Sequence, residues 1–189
     1  YPSNAPQILD SGKGAYVRDP DGKAFLDYGM ALRAVHIGYA EDSIDEAAFA
    51  AIRSGNNLTR PSMVELEAAE RFIGLIDSVD MVKFTKNGST AVSAAVKLAR
   101  AYTGRDLVAR CAEQPFFSYD DWFIGSTPLN RGIPKDGIEN TKLFHYNDIA
   151  SLEALIAQHP GQLACVVLEP AASEEPEDGF LHQVQDLCR

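Results

Sequence analysis

Three stretches of the chain hold residue types at spacings that chemistry can use. The first is Lys86-Asn87-Gly88-Ser89-Thr90-Ala91. Glycine lets a backbone approach a ligand closely, and the alanine-rich run that follows predicts a helix whose first N–H groups and positive dipole end lie here. With the Ser89 and Thr90 hydroxyls added, the stretch has the parts of a phosphate cradle at a helix N-terminus. The same residues would also serve as a plain helix N-cap, and taken alone they leave both readings open. The second stretch, 114–135, is irregular and aromatic at first, then carries proline and glycine, a composition common in functional loops. The third is Glu169-Pro170, directly after the apolar run 163–168, where a carboxylate is expensive to bury without a partner.

The elements that would position these residues follow from periodicity. Residues 14–18 and 24–28 alternate as strands do, and Asp19-Pro20-Asp21-Gly22 between them is strong turn chemistry. A helix is predicted over about 43–53, stopped by Ser54-Gly55. Another begins near Pro61-Ser62, with Met63, Leu66, Ala69, Phe72, Ile73 and Ile76 on one side. From residue 80 the pattern becomes strand (81–85), turn (87–90) and helix (91–102), the last closed by Thr103-Gly104. A short strand at 107–109, a helix capped by Asn147 or Asp148 and ended by His159-Pro160-Gly161, and a strand buried on both faces at 163–168 complete the pattern, with a last helix starting after Gly179. Strands alternating with helices of about 12 residues imply an α/β domain with a largely parallel sheet. Such sheets bind ligands at the carboxyl ends of their strands, which singles out 87–90 and Glu169-Pro170.

Composition narrows the function classes. The 189 residues are 46% hydrophobic and 23% charged, ordinary for a globular protein. The net charge of −10 speaks against a nucleic-acid or anionic-membrane surface, and no window approaches the ~18 apolar residues of a membrane span. The first residues have neither the basic start nor the apolar core of a signal peptide. Cys111, Cys165 and Cys188 are odd in number, widely spaced and without a CxxC pair, so they read as reduced thiols in a cytoplasmic setting. His145, His159 and His182 have no metal-ligand spacing, and His36 reads as a lone packed histidine. Two glycosylation sequons, at Asn57 and Asn87, are read as coincidental. Gly12-Lys13-Gly14 lacks a third glycine and precedes a strand, so a dinucleotide-binding turn is excluded.

Read with its flanks, the turn becomes more specific. Phe84-Thr85-Lys86-Asn87-Gly88-Ser89-Thr90-Ala91, followed by Leu98-Ala99-Arg100-Ala101-Tyr102-Thr103-Gly104-Arg105, resembles the class III aminotransferases, above all their glutamate-1-semialdehyde aminomutase-like branch. Gly12-Lys13-Gly14 with Asp19-Pro20-Asp21-Gly22 and Asp27-Tyr28, then Tyr146-Asn147-Asp148, then Val166-Val167-Leu168-Glu169-Pro170 extend the likeness over nearly the whole chain. The resemblance implies a fold-type-I, pyridoxal-phosphate-dependent transferase: an N-terminal β/α segment (1–60) leading into the first part of the large, mainly parallel-sheet domain (61–189). By position it places Gly88, Ser89 and Thr90 at the cofactor phosphate, Phe116 against the pyridine ring and Glu169 beside the cofactor. An aromatic face stacked there is worth roughly 0.5–1.5 kcal/mol beyond its area. Thr90 stands where the family often has an acidic residue. Phe117 and Ser118 replace the histidine and glycine of a Tyr-His-Gly triplet, which puts any role of that histidine in doubt. Arg33, in Met30-Ala31-Leu32-Arg33-Ala34-Val35-His36, lies in a stretch resembling one that lines the substrate side, although a structural arginine is the more ordinary reading.

The family's chemistry needs an aspartate at the pyridine nitrogen and a Schiff-base lysine, and none of Lys83, Lys86 and Lys97 occupies a matching position. The chain is therefore expected to be the front portion of a transaminase and inactive alone, with no catalytic residue of its own. The parent's partners would be an amino donor, a carbonyl acceptor and a second copy in a homodimer, with neither nucleic acid nor membrane. An aminomutase or racemase of the same fold is the alternative within the class. A truncated, non-catalytic binding or assembly piece is the alternative outside it.

Overall fold

The structure, a computed structural model, describes residues 5–189. It divides into two compact units, Tyr1–Met81 and Val82–Arg189. The expected segment boundary at 60/61 falls inside the first of these.

The first unit opens with an antiparallel meander, β1 (Ser11–Lys13), β2 (Tyr16–Arg18) and β3 (Ala24–Leu26), in which Val17 pairs with Gly12 on one side and Phe25 on the other. The turn between β2 and β3 is held as its residues predict. Asp19 Oδ1 accepts from the amides of Asp21 and Lys23, and Gly22 takes a positive φ of 81°. Strand β1 was not expected; it forms because Gly14, at φ 57°, turns the chain back and bridges to Tyr39. Residues Met30–Arg33 (α1) make one turn of left-handed backbone, with φ between 45° and 70°. Helices α2 (Asp42–Arg53) and α3 (Met63–Ile73) follow where the periodicity places them. A reciprocal capping box starts α3: the Glu65 amide donates to the Ser62 hydroxyl and the Ser62 amide to the Glu65 carboxylate.

The second unit is a parallel sheet with helices on both faces. Helix α4 (Gly88–Thr103) leads to the central strand β4 (Leu107–Cys111); β5 (Thr141–Phe144) lies on one side of it and β6 (Leu163–Val167) on the other. Helices α5 (Asp121–Ile124) and α6 (Lys135–Glu139) connect β4 to β5, α7 (Ile149–Gln158) connects β5 to β6, and α8 (Phe180–Leu187) comes last. The two-residue period of β4 splits its side chains between two cores. Ala109 and Cys111 face Phe144, Leu152, Leu155, Phe180 and Val184, while Val108 joins Val96, Phe117, Trp122 and Phe123. Gly104, at φ 66°, ends α4 in the left-handed conformation that Thr103-Gly104 predicted.

Three expectations are corrected. Residues 81–85 form no strand, because among the described residues no neighbour supplies ladder partners for their backbone groups. Strand β6 is half-buried rather than buried on both faces, and among the described residues it is an edge strand with β4 as its one neighbour. Strand β5 and the short helices α5 and α6 arise where a long irregular stretch, or no element, was read.

Candidate functional site

The carboxyl edge of the parallel sheet and the amino end of α4 carry the second unit's candidate residues. Asn87 is the N-cap of α4, its Oδ1 accepting from the Thr90 amide at 2.9 Å and from the Thr90 hydroxyl at 3.1 Å. The donors of Thr90 are thus used within the turn. The amides of Gly88 and Ser89, by contrast, meet no acceptor among the described residues, and they point out of the helix as the first amides of any helix do. A Cβ built on Gly88 would meet nothing within 4 Å. Among the described residues no packing therefore requires glycine at this position, and the space beside it is open.

Phe116 and Phe117 take opposite places. Phe117 is 9% exposed in the core beside α4, whereas Phe116 is 54% exposed, its ring held edge-on by Phe123 at 5.6 Å between centroids. Phe123 is the hub of this region. It also meets the edges of Phe117 and Trp122, and the Arg110 guanidinium lies 5.0 Å from its centroid. Arg110 is buried. Its nitrogens donate to the Ser126 hydroxyl and carbonyl and to the carbonyl of Cys111, and burial lowers its pKa from the usual guanidinium value.

Two buried polar side chains tie the Phe116 segment to its surroundings, and periodicity gave no sign of either. The Gln114 carboxamide pairs with the backbone of Glu169, donating to its carbonyl at 2.8 Å and accepting from its amide at 2.6 Å. The Ser118 hydroxyl lies 2.9 Å from the Ser93 hydroxyl, within α4, and 3.3 Å from the Ser89 carbonyl. Through these bonds the structure links Gly88–Thr90, Phe116 and Glu169. Arg33 belongs to the first unit, exposed in the left-handed turn. A cavity of about 260 Å³ runs along the flank of α4, lined by Ser89, Thr90, Lys97, Ser118 and Tyr119 among others; neither Phe116 nor Glu169 lines it.

Beside this lies a second polar cluster. Glu113, just past β4, has Oε1 2.6 Å from His145 Nδ1, and its Oε2 accepts from the Tyr146 amide and the Cys111 thiol. Burial works to raise the Glu113 pKa, but the His145 and Tyr146 hydrogen bonds outweigh it and hold the carboxyl at about 2. The same bond raises His145, and burial with Glu113 as neighbour lifts the Cys111 thiol to about 11, an inert thiol. Among the described residues, no group of three or more His, Cys, Asp or Glu side chains could hold a metal ion, and no helix is long and apolar enough to cross a membrane.

Comparison with known proteins shows the family and the fold. Over its full length the chain superimposes on an omega-transaminase from Sphaerobacter thermophilus with a TM-score of 0.90 and 29% identity, covering 47% of that chain. It matches the FumI protein of Sphingopyxis sp. MTA144, solved in its PLP internal aldimine form, with a TM-score of 0.89 and 30% identity, covering 99% of this chain and 46% of the other. A glutamate-1-semialdehyde aminomutase from Pseudomonas aeruginosa PAO1, at 23% identity and a TM-score of 0.81, shares the fold over 100% of this chain and 44% of its own. The chain thus spans a little under half the length of these proteins. Residues 2–130 match the family model described as aminotransferase class-III, and the chain belongs to that family.

Proposed function

We propose that this chain forms the phosphate-gripping and ring-stacking side of a pyridoxal 5'-phosphate site, in a protein that moves an amino group from an amino donor to a carbonyl acceptor. One observation carries this reading: amides at Gly88 and Ser89 that meet no acceptor among the described residues, with open space beside Gly88, are joined through Ser118 to the segment bearing a half-exposed Phe116. The group supplies, when bound, an electron sink for bonds at the carbon of an amino substrate.

The chain's own residues do the holding. The Gly88 and Ser89 amides and the Ser89 hydroxyl donate to the phosphate, helped by the positive end of the sixteen-residue helix α4. Thr90 serves the same end through Asn87, whose carboxamide it fixes so that the turn keeps its shape. Phe116 offers a flat apolar face and excludes water from one side of the ring. Glu169, whose backbone is fixed by Gln114, borders the site at the sheet's carboxyl edge. Arg33, an exposed guanidinium, suits an anionic group of the substrate. Within the family we place the chain in the glutamate-1-semialdehyde aminomutase-like branch, on its run from Leu98 to Arg105. An intramolecular amino transfer would use these same residues. A homodimer in a reducing, cytoplasmic setting completes the proposal, in keeping with the three free thiols.

Equilibrium dialysis against pyridoxal phosphate and against pyridoxal tests the phosphate grip directly. The chain is expected to hold the phosphorylated form at least about tenfold more tightly, about 1.4 kcal/mol. Gly88→Val should remove most of that preference with helix content unchanged, since a side chain there meets open space. Equal binding of the two compounds by the wild-type chain would sink the proposal.

A further inference from the structure

We infer that Gln114 and Ser118 are positioning residues that set the Phe116 ring, an inference that rests on the reading of Phe116 as the cofactor's stacking plate. They stand two residues before and two after Phe116. Both are polar and nearly sealed from solvent, Gln114 at 5% exposure and Ser118 at 1%, while the ring between them is more than half exposed. An exposed ring in a loop is ordinarily free to sample several rotamers and backbone states. Here its backbone is fixed on both sides.

The Gln114 anchor acts as a strand would. Pairing of β4 with β6 ends at Arg110 and Val167, and the Gln114 carboxamide then meets both backbone groups of Glu169, as a neighbouring strand's peptide would. The chain entering Phe116 is thereby locked to the carboxyl edge of the sheet.

The Ser118 anchor works through a relay. Trp122 Nε1 can only donate, and it donates to Ser93 Oγ at 3.1 Å. The Ser93 hydroxyl then donates to Ser118 Oγ, and the Ser118 hydroxyl donates to the Ser89 carbonyl. This direction gives every proton an acceptor, and the Asp120 amide fills the remaining acceptor site of Ser118 at 3.1 Å. The relay ends on the peptide unit next to the open amides, so the chain leaving Phe116 is locked to the phosphate turn. The family-type glycine at 118 could not make this bridge, and a saturated buried network of this kind specifies one arrangement of the groups it joins.

The test is a double-mutant cycle in the whole chain, with Ser118→Ala, Gln114→Ala and Phe116→Ala singly and in pairs, read by dialysis against pyridoxal phosphate. Each anchor variant should weaken binding about tenfold in the wild-type background and by less than about twofold when Phe116 is already alanine. Equal losses in both backgrounds would overturn the inference, because the anchors would then act on the phosphate turn or on stability and not through the ring. Binding unchanged by either single variant would overturn it as well. Amide hydrogen exchange is the second readout and needs no cofactor: Ser118→Ala should speed exchange over 115–120 while β4 amides keep their protection, and uniform change or no change counts against the anchors. Should Gln114→Ala fail to fold, Gln114→Glu keeps the shape and the acceptor but loses the donor, and the same cycle applies. If the wild-type chain shows no preference for the phosphorylated cofactor, the proposed function fails while the exchange data still decide whether the anchors hold the segment.

Discussion

The two units of this chain handle their apolar residues in opposite ways. In the second unit the period of β4 and the helices α4 and α7 close two cores, with Phe123, Phe144 and Leu152 fully enclosed. In the first, Val17 is the single buried apolar side chain among the described residues, and α2 and α3 leave Ile44, Phe49, Ile52, Met63, Leu66 and Phe72 exposed. Yet α2 and α3 have apolar stripes as regular as that of α4. An amphipathic pattern specifies that a face exists and leaves open what covers it, because helix periodicity is a local property and burial is not. The candidate residues Gly88, Ser89, Phe116 and Glu169 belong to the well-packed unit, and Arg33 to the other.

The sharpest way to break this contrast is to delete one aromatic ring from each unit. Phe123→Ala removes the ring that Phe116, Phe117, Trp122 and Arg110 all meet, and should cost about 3–5 kcal/mol in urea unfolding. Phe49→Ala, at a ring 60% exposed, should stay within about 0.5 kcal/mol. Similar losses at the two sites would show that the units are not packed differently. Helix caps give a smaller and equalising effect. Asn87→Ala and Ser62→Ala each remove a side-chain acceptor from a first-turn amide, and each should cost about 1 kcal/mol, in the packed and the open unit alike. Exchange rates of the first-turn amides of α4 and α3 would report each loss separately.

The smallest effect is pH-dependent and confined to the second unit. Glu113 is depressed to about 2, so its contribution to stability is complete above the ordinary value of 4.5 and is lost as pH falls toward 2. His145 is raised, so its contribution is complete below 6.5 and is lost as pH rises through its higher folded value. The pair should therefore contribute most between pH 4.5 and 6.5. Both side chains are about half exposed, so the gain should shrink in salt. Unfolding midpoints of the wild type and Glu113→Gln across pH 3–9 check this. A constant offset would mean that the Glu113–His145 bond is not ionic.

Much of this was legible in the sequence. The helix from the Asn87 turn to Gly104, the Asp19–Gly22 turn and the Ser62 start of α3 depend on residues within four positions of each other, and such local rules transfer directly. Strand β5 was not legible, because Thr141-Lys142-Leu143-Phe144 becomes a strand by lying beside β4, more than thirty residues earlier. Nor could any local rule tell Phe116 from Phe117. Adjacent residues of one type diverge here because Phe117 joins the buried cluster of Val96, Val108 and Trp122, while Phe116 meets the edge of Phe123 from outside it and stays exposed.

By itself, then, the chain's order of residues determined its α/β class, the ends of its longer helices and the Asn87–Thr90 turn, since each follows from propensities and spacings along a few neighbouring positions. Tertiary structure alone decided which ring stands open, which donors remain unspent and how Gln114 and Ser118 reach Glu169 and Ser89, across 55 and 29 residues. Those pairings exist only once the sheet and α4 have packed, because hydrogen bonds between distant residues repay their ordering cost when the surrounding core already holds both partners in place.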